Sequence, residues 1–146
     1  MWGSHCIKTW SVNQGYIVLS SGEAEYYGAV RGASQALGLR AMMADLGVEA
    51  AILSGSPGIE LCVYASAAVG IASHRGLGKQ RHIELNELWL QDQIARGRIG
   101  IRKVNGKVNF SDSLTKFCGA DRIAQTIHCT EHVIRTGRHE LMPELS

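Results

Sequence analysis

Residues 61–70, LCVYASAAVG, carry an apolar run into a stretch of small residues with no charged side chain between them. Ile59–Tyr64 reads as a short buried strand, introduced by Gly55, Pro57 and Gly58, and Ser66–Ser73 reads as a short helix. A strand that feeds straight into a helix is the repeating step of α/β architectures. The crest between the two is where such folds place binding and catalytic side chains. Here it offers only Tyr64 and Ser66, so the chemistry expected of that position is absent from it.

Upstream of the crest, SSGEAEYYGAVRGASQALGLRAMMADLG predicts a helix of about 24 residues. Ser20 with Glu23 fits a capping box, Tyr26, Ala29, Val30, Ala33, Ala36, Leu37, Ala41 and Ala44 recur at helical spacing, and Gly47 provides the stop. Residues 5–12 and 16–19 are β-rich and flank Asn13-Gln14-Gly15, which predicts a hairpin. Downstream, IELNELWLQDQIARG predicts a second helix ending at Gly97. Ile99, Ile101 and Val104 mark another strand, Phe110–Phe117 a helix, and about 120–135 a last amphipathic helix. Two strands at 59–64 and 99–104 joined through helices imply a parallel pair, so the fold class expected is α/β, a mixed sheet with helices packed on it.

Composition limits the alternatives. With 146 residues, 45% hydrophobic and 19% charged, the chain has the make-up of one folded domain and has neither an apolar span of membrane length nor a low-complexity tract. The formal charge of +2 favours no partner by itself, so any nucleic-acid contact must come from a local cluster. Cys6, Cys62, Cys118 and Cys129 form no CxxC pair, and the N-terminus lacks a basic region followed by an apolar stretch. An intracellular protein, in cytoplasm or nucleus and without a membrane partner, is expected.

Four segments in fixed order, IVLSSGEAEYYGAV at 17–30, SAAVGIA at 66–72, KQRHIELNELWLQDQIARGRI at 79–99 and NFSDSLTK at 109–116, closely resemble the ribonuclease H domain that ends the Pol polyprotein of copia-type LTR retrotransposons. The resemblance covers about residues 4–118, makes 1–118 a ribonuclease H-like domain and leaves 119–146 as a C-terminal helical extension. It implies hydrolysis of the RNA strand of an RNA–DNA hybrid by two Mg²⁺ (Mn²⁺ as a substitute) held among four carboxylates, next to the reverse transcriptase portion of the same polyprotein in relatives. Two hard cations about 4 Å apart stabilise the charge that develops on the attacking and leaving oxygens.

Matched position by position, Glu25 corresponds to the helix carboxylate and Asp112 to the late-helix carboxylate, and both are the candidate metal ligands and catalytic residues. The alternatives for each are local: a first-turn Glu favoured by the helix dipole and an Asp that caps its own helix. The crest, Val63-Tyr64-Ala65-Ser66-Ala67-Ala68, lacks the family's Asp, and Met1-Trp2-Gly3-Ser4 lacks the Asp of the first strand. With two of four acids absent and the central first strand missing, the resemblance implies weakened Mg²⁺ binding and impaired catalysis. The other readings are a non-catalytic nucleic-acid-binding module, a decayed retroelement fragment, and a host-encoded fold with no nucleic-acid role.

The connector HRGLGKQRH, residues 74–82, supplies the local basic cluster. Arg75, Lys79, Arg81 and His82 are the candidate contacts to the phosphates of a hybrid, with Arg102, Lys103 and Lys107 as neighbours; a solvated basic loop is the ordinary alternative. HCTEH at 128–132 formally fits an inverzincin pattern, with His128 and His132 on one helix face and Glu131 as base, but a chance match among six histidines is the better account of it. A third zinc ligand would have to come from Glu140 or Glu144.

Overall fold

The computed structural model describes residues 3, 5–15, 17–48, 58–76, 78, 83, 88–134 and 137. The chain forms two units, residues 13–109 and residues 1–12 with 110–146. The boundary expected after residue 118 falls inside the second of these.

In the 13–109 unit, helix α1 spans Ser21–Asp45, strand β1 Ile59–Val63, helix α2 Ser66–Ser73, helix α3 Trp89–Ala95 and strand β2 Ile99–Lys103. The architecture is mixed α/β, and β1 and β2 are parallel, with Ile59 opposite Ile99 and Val63 opposite Lys103. The alternation in β1 explains its placement. Leu61 and Val63 turn towards the helices, whereas Glu60 and Cys62 are exposed on the other face. Cys62, part of the run expected to form a buried strand, is therefore a surface residue. On that face Arg102 spans the strands to Glu60 through two hydrogen bonds of 2.9 and 3.0 Å, which hold the Glu60 carboxyl below its ordinary range.

Both ends of α1 follow from its sequence. The Ser20 hydroxyl accepts from the Glu23 N–H at 3.1 Å, and the Glu23 carboxylate, almost fully buried, accepts from the Leu19 N–H at 3.0 Å. At the other end Gly47 takes φ +73°, its N–H donates to the Ala44 carbonyl, and the Val48 N–H donates to the Met43 carbonyl. This pairing satisfies the last orphan carbonyls and needs a left-handed residue that glycine adopts without penalty. The same arrangement ends α3, with Gly97 at φ +68°.

The core consists of Tyr26, Ala29 and Ala33 from α1, Val63 from β1, Ala68 and Ala72 from α2, Ile83, Leu90 from α3 and Ile99 from β2. Small residues on α1 and α2 let the two backbones approach closely. A Cβ built on Gly22 would lie 2.5 Å from the Ala67 Cβ, while one on Gly28 would meet nothing within 4 Å. Gly22→Ala is thus expected to destabilise the protein by about 1–3 kcal/mol. Gly28→Ala on the same helix is expected to stabilise it by about 0.5–1 kcal/mol. Urea unfolding followed by circular dichroism reads both; adding Ala67→Gly to Gly22→Ala should recover part of the loss, and equal effects at the two glycines would contradict the close contact.

In the other unit, helix α4 spans Asp112–Thr115 and helix α5 Ala120–Cys129. They are joined by the Ser113 and Thr126 hydroxyls at 2.7 Å; Thr126 donates to the Arg122 carbonyl, so Ser113 is the donor between them. Both helices are shorter than expected. α5 ends where Glu131 enters the left-handed region at φ 52° and the His132 N–H turns back to the Ile127 carbonyl. Among the described residues, every buried apolar side chain belongs to the 13–109 unit.

The expected hairpin is not formed. His5 has an isolated bridge, and the other described residues of 5–12 and 16–19 hold no strand. An isolated two-stranded hairpin gains stability only when a face is packed or a third strand pairs with it. Here Ile17 is 96% and Leu19 75% exposed, and no third strand is present among the described residues.

Candidate functional site

The crest after β1 turns on a contact that local sequence rules do not supply. Ala65 is the N-cap of α2 and has no side chain with which to cap it. The missing acceptor comes from α1. One oxygen of Glu25 accepts the Tyr64 N–H and the other accepts the Ala65 N–H at 2.8 Å. A carboxylate straddling two successive peptide N–H groups at a helix start satisfies both donors and meets the positive end of the helix dipole. Beside it, Lys103 at the end of β2 donates from Nζ to the Ser66 hydroxyl at 2.7 Å. The exposed Tyr64 ring lies over Gly106, where a Cβ would be 3.1 Å from the Tyr64 Cε2.

These contacts decide how well the crest suits Mg²⁺. An octahedral cation requires several oxygen donors. The crest from Val63 to Ala68 contributes no carboxylate, and both Glu25 oxygens already serve backbone donors. Among the described residues no group of three or more His, Cys, Asp and Glu side chains is placed to hold a metal ion. The residues present do not fit a two-cation centre.

Asp112, the second expected ligand, belongs to the other unit, in the first turn of α4. Its Oδ1 lies 3.0 Å from the Lys116 ammonium one turn on. Ser111 is the N-cap there and makes no side-chain capping bond.

Of the basic candidates, Arg75 is exposed in the segment that follows α2, and Lys79, Arg81 and His82 lie outside the described residues. Arg102 is exposed but committed to neighbours on its own sheet face. Its guanidinium is engaged by Glu60 and also donates to the Cys62 thiol at 3.3 Å, and the hydrogen bonds it donates to Glu60 raise its pKa. Lys103 is drawn to Ser66, and the Lys107 N–H donates to the Asn105 side chain within the turn Gly106–Val108.

The HCTEH pattern loses its geometry because α5 stops inside it. His128 is in the last turn, whereas His132 follows the left-handed Glu131. Thr130 Oγ1 donates to the Thr126 carbonyl and therefore accepts from His132 Nδ1 at 2.6 Å. Glu131 pairs with His5 at 2.9 Å. Two imidazoles four residues apart share a helix face only while the helix continues. Glu140 and Glu144 lie outside the described residues.

Sequence reasoning passed over Gln91. Its side chain is 6% exposed, and all of its amide is used: Oε1 accepts the Gly76 N–H at 2.8 Å, and Nε2 donates to the carbonyls of Ile71 at 2.8 Å and Gly76 at 3.1 Å. The only sequence signal was a glutamine among the apolar residues of LWLQDQI. No described helix is long and apolar enough to cross a membrane. Family models, curated proteins and solved structures were compared with the chain, and none of the three comparisons returns a match.

Proposed function

We propose that this chain is a retrotransposon-derived ribonuclease H-like domain in which two-metal hydrolysis is impaired and nucleic-acid binding is retained. The motifs at 17–30, 66–72, 79–99 and 109–116 support the ancestry, and the α/β unit with its parallel strands is compatible with it. One observation carries the loss of catalysis. Glu25, the residue matched to a metal ligand, closes the crest by accepting the Tyr64 and Ala65 N–H groups. A cation entering there must compete with two backbone donors for the same oxygens, without help from a crest carboxylate. Mg²⁺ or Mn²⁺ is then held singly and weakly.

The test uses the purified chain and an end-labelled RNA–DNA hybrid with Mg²⁺ or Mn²⁺. The expected result is an uncut RNA strand and a retained complex in a gel-shift assay. Efficient cleavage that Glu25→Ala abolishes would refute the impairment. Absence of any complex would instead favour a decayed fragment or a host-encoded fold without a nucleic-acid role.

A further inference from the structure

The exposed end of α2 and the outer side of α3 enclose an open groove of about 370 Å³. Arg75 and Gly76 form one wall, and Leu88, Gln91, Asp92 and Arg96 form the other. We infer that this groove is a seat for one phosphodiester of a nucleic-acid backbone, with Arg75 and Arg96 as the anion contacts and Gln91 as the residue that positions Arg75. The inference rests on the nucleic-acid reading above and assigns a place to it.

Three features point this way. First, Arg75 makes no ion pair or hydrogen bond with any described residue, although its neighbour Gly76 is fixed on both its N–H and its carbonyl by the buried Gln91 amide. The guanidinium is thus carried by an anchored backbone, with donors that no described residue takes up. Second, Arg96 is held by Asp92 through Nε, at 2.8 Å, and its two terminal nitrogens donate to no described residue. A planar guanidinium oriented in this manner suits a phosphate, which accepts from two parallel N–H groups. Third, among the described residues that line it, two arginines and one aspartate leave the groove with one net positive charge, the complement of one phosphodiester. Leu88 and Ala95 add an apolar surface for the adjoining sugar.

The experiment measures fluorescence anisotropy of a short labelled RNA–DNA hybrid titrated with the full chain, at several salt concentrations between about 50 and 200 mM. Arg75→Ala with Arg96→Ala should weaken binding at least about tenfold and reduce the slope of log K against log salt by about 1, because the contacts to one phosphate are removed. Gln91→Met should lose the Arg75 share while leaving its charge in place. Adding Arg75→Ala to Gln91→Met should then change nothing further, a non-additivity that a purely structural glutamine does not produce. Both arginines are on the surface, so circular dichroism of the double variant should match that of the unaltered chain. Unchanged affinity and slope in the double variant overturn the groove while leaving nucleic-acid binding intact. No binding by the unaltered chain at low salt overturns both. Equal loss of binding to polyglutamate shows a general anion site and overturns the phosphodiester assignment.

Discussion

Glu25→Ala is expected to destabilise the chain by about 2–3 kcal/mol in the absence of any divalent cation. The change leaves the Tyr64 and Ala65 N–H groups without their acceptor and removes the negative charge at the start of α2. Glu25→Gln should recover less than half of the loss. A carboxamide presents one carbonyl oxygen, which can meet one N–H, and turns an NH₂ donor towards the other. A Glu25 that acted only as a cation ligand would behave in the opposite way, since a carboxylate waiting for metal is neutral or unfavourable to stability when no metal is present. Urea unfolding of the three proteins in EDTA separates the two roles. Equal stability of all three would remove the structural basis for impaired catalysis.

Leu90→Ala is expected to cost about 2–5 kcal/mol, with the upper half of that range favoured by the surroundings. Leu90 is fully buried in the cluster that joins α1, β1, α2 and β2, and helices on both sides limit how far the site can collapse. The loss should reach the groove as well, because Leu90 anchors the helix that presents Gln91 to Gly76. Protease cleavage near residues 74–76 should therefore quicken more than the global loss of stability requires. The contrasting substitution is Ile123→Ala on α5, where the side chain is 45% exposed and the expected change is within about 0.5 kcal/mol. A Leu90→Ala cost as small as that of Ile123→Ala would show that the cluster is not the source of stability.

Fold elements were legible wherever a short-range rule decided them. Ser20, Glu23 and Gly47 place the ends of α1 within one residue, and the run Ser66–Ser73 coincides with α2. The run Ile59–Tyr64 announced β1 as a buried strand, but the structure exposes Glu60 and Cys62 on one of its faces. The hairpin failed for a long-range reason. β-rich composition specifies a willingness to pair, and 5–12 and 16–19 have no third strand on which to pair among the described residues. α4 and α5 fell short because helix periodicity does not locate the residue at which an end turns back, as Glu131 does with a left-handed backbone.

The candidate site divides along the same line. The sequence by itself determined that the crest has no carboxylate, that a glutamate stands in the first turns of the long helix, and that basic residues follow α2. Only the tertiary structure decided that Glu25 meets two peptide N–H groups near residue 64, across a separation of 39 residues, and that Arg102 is engaged by Glu60 while Arg75 has no partner among the described residues. Helix caps and strand alternation are settled by backbone geometry within a few residues, where each side chain has few options. The partner of a charged side chain is settled by whichever donors or acceptors the packing of distant elements brings to it, and desolvation makes that choice energetically decisive.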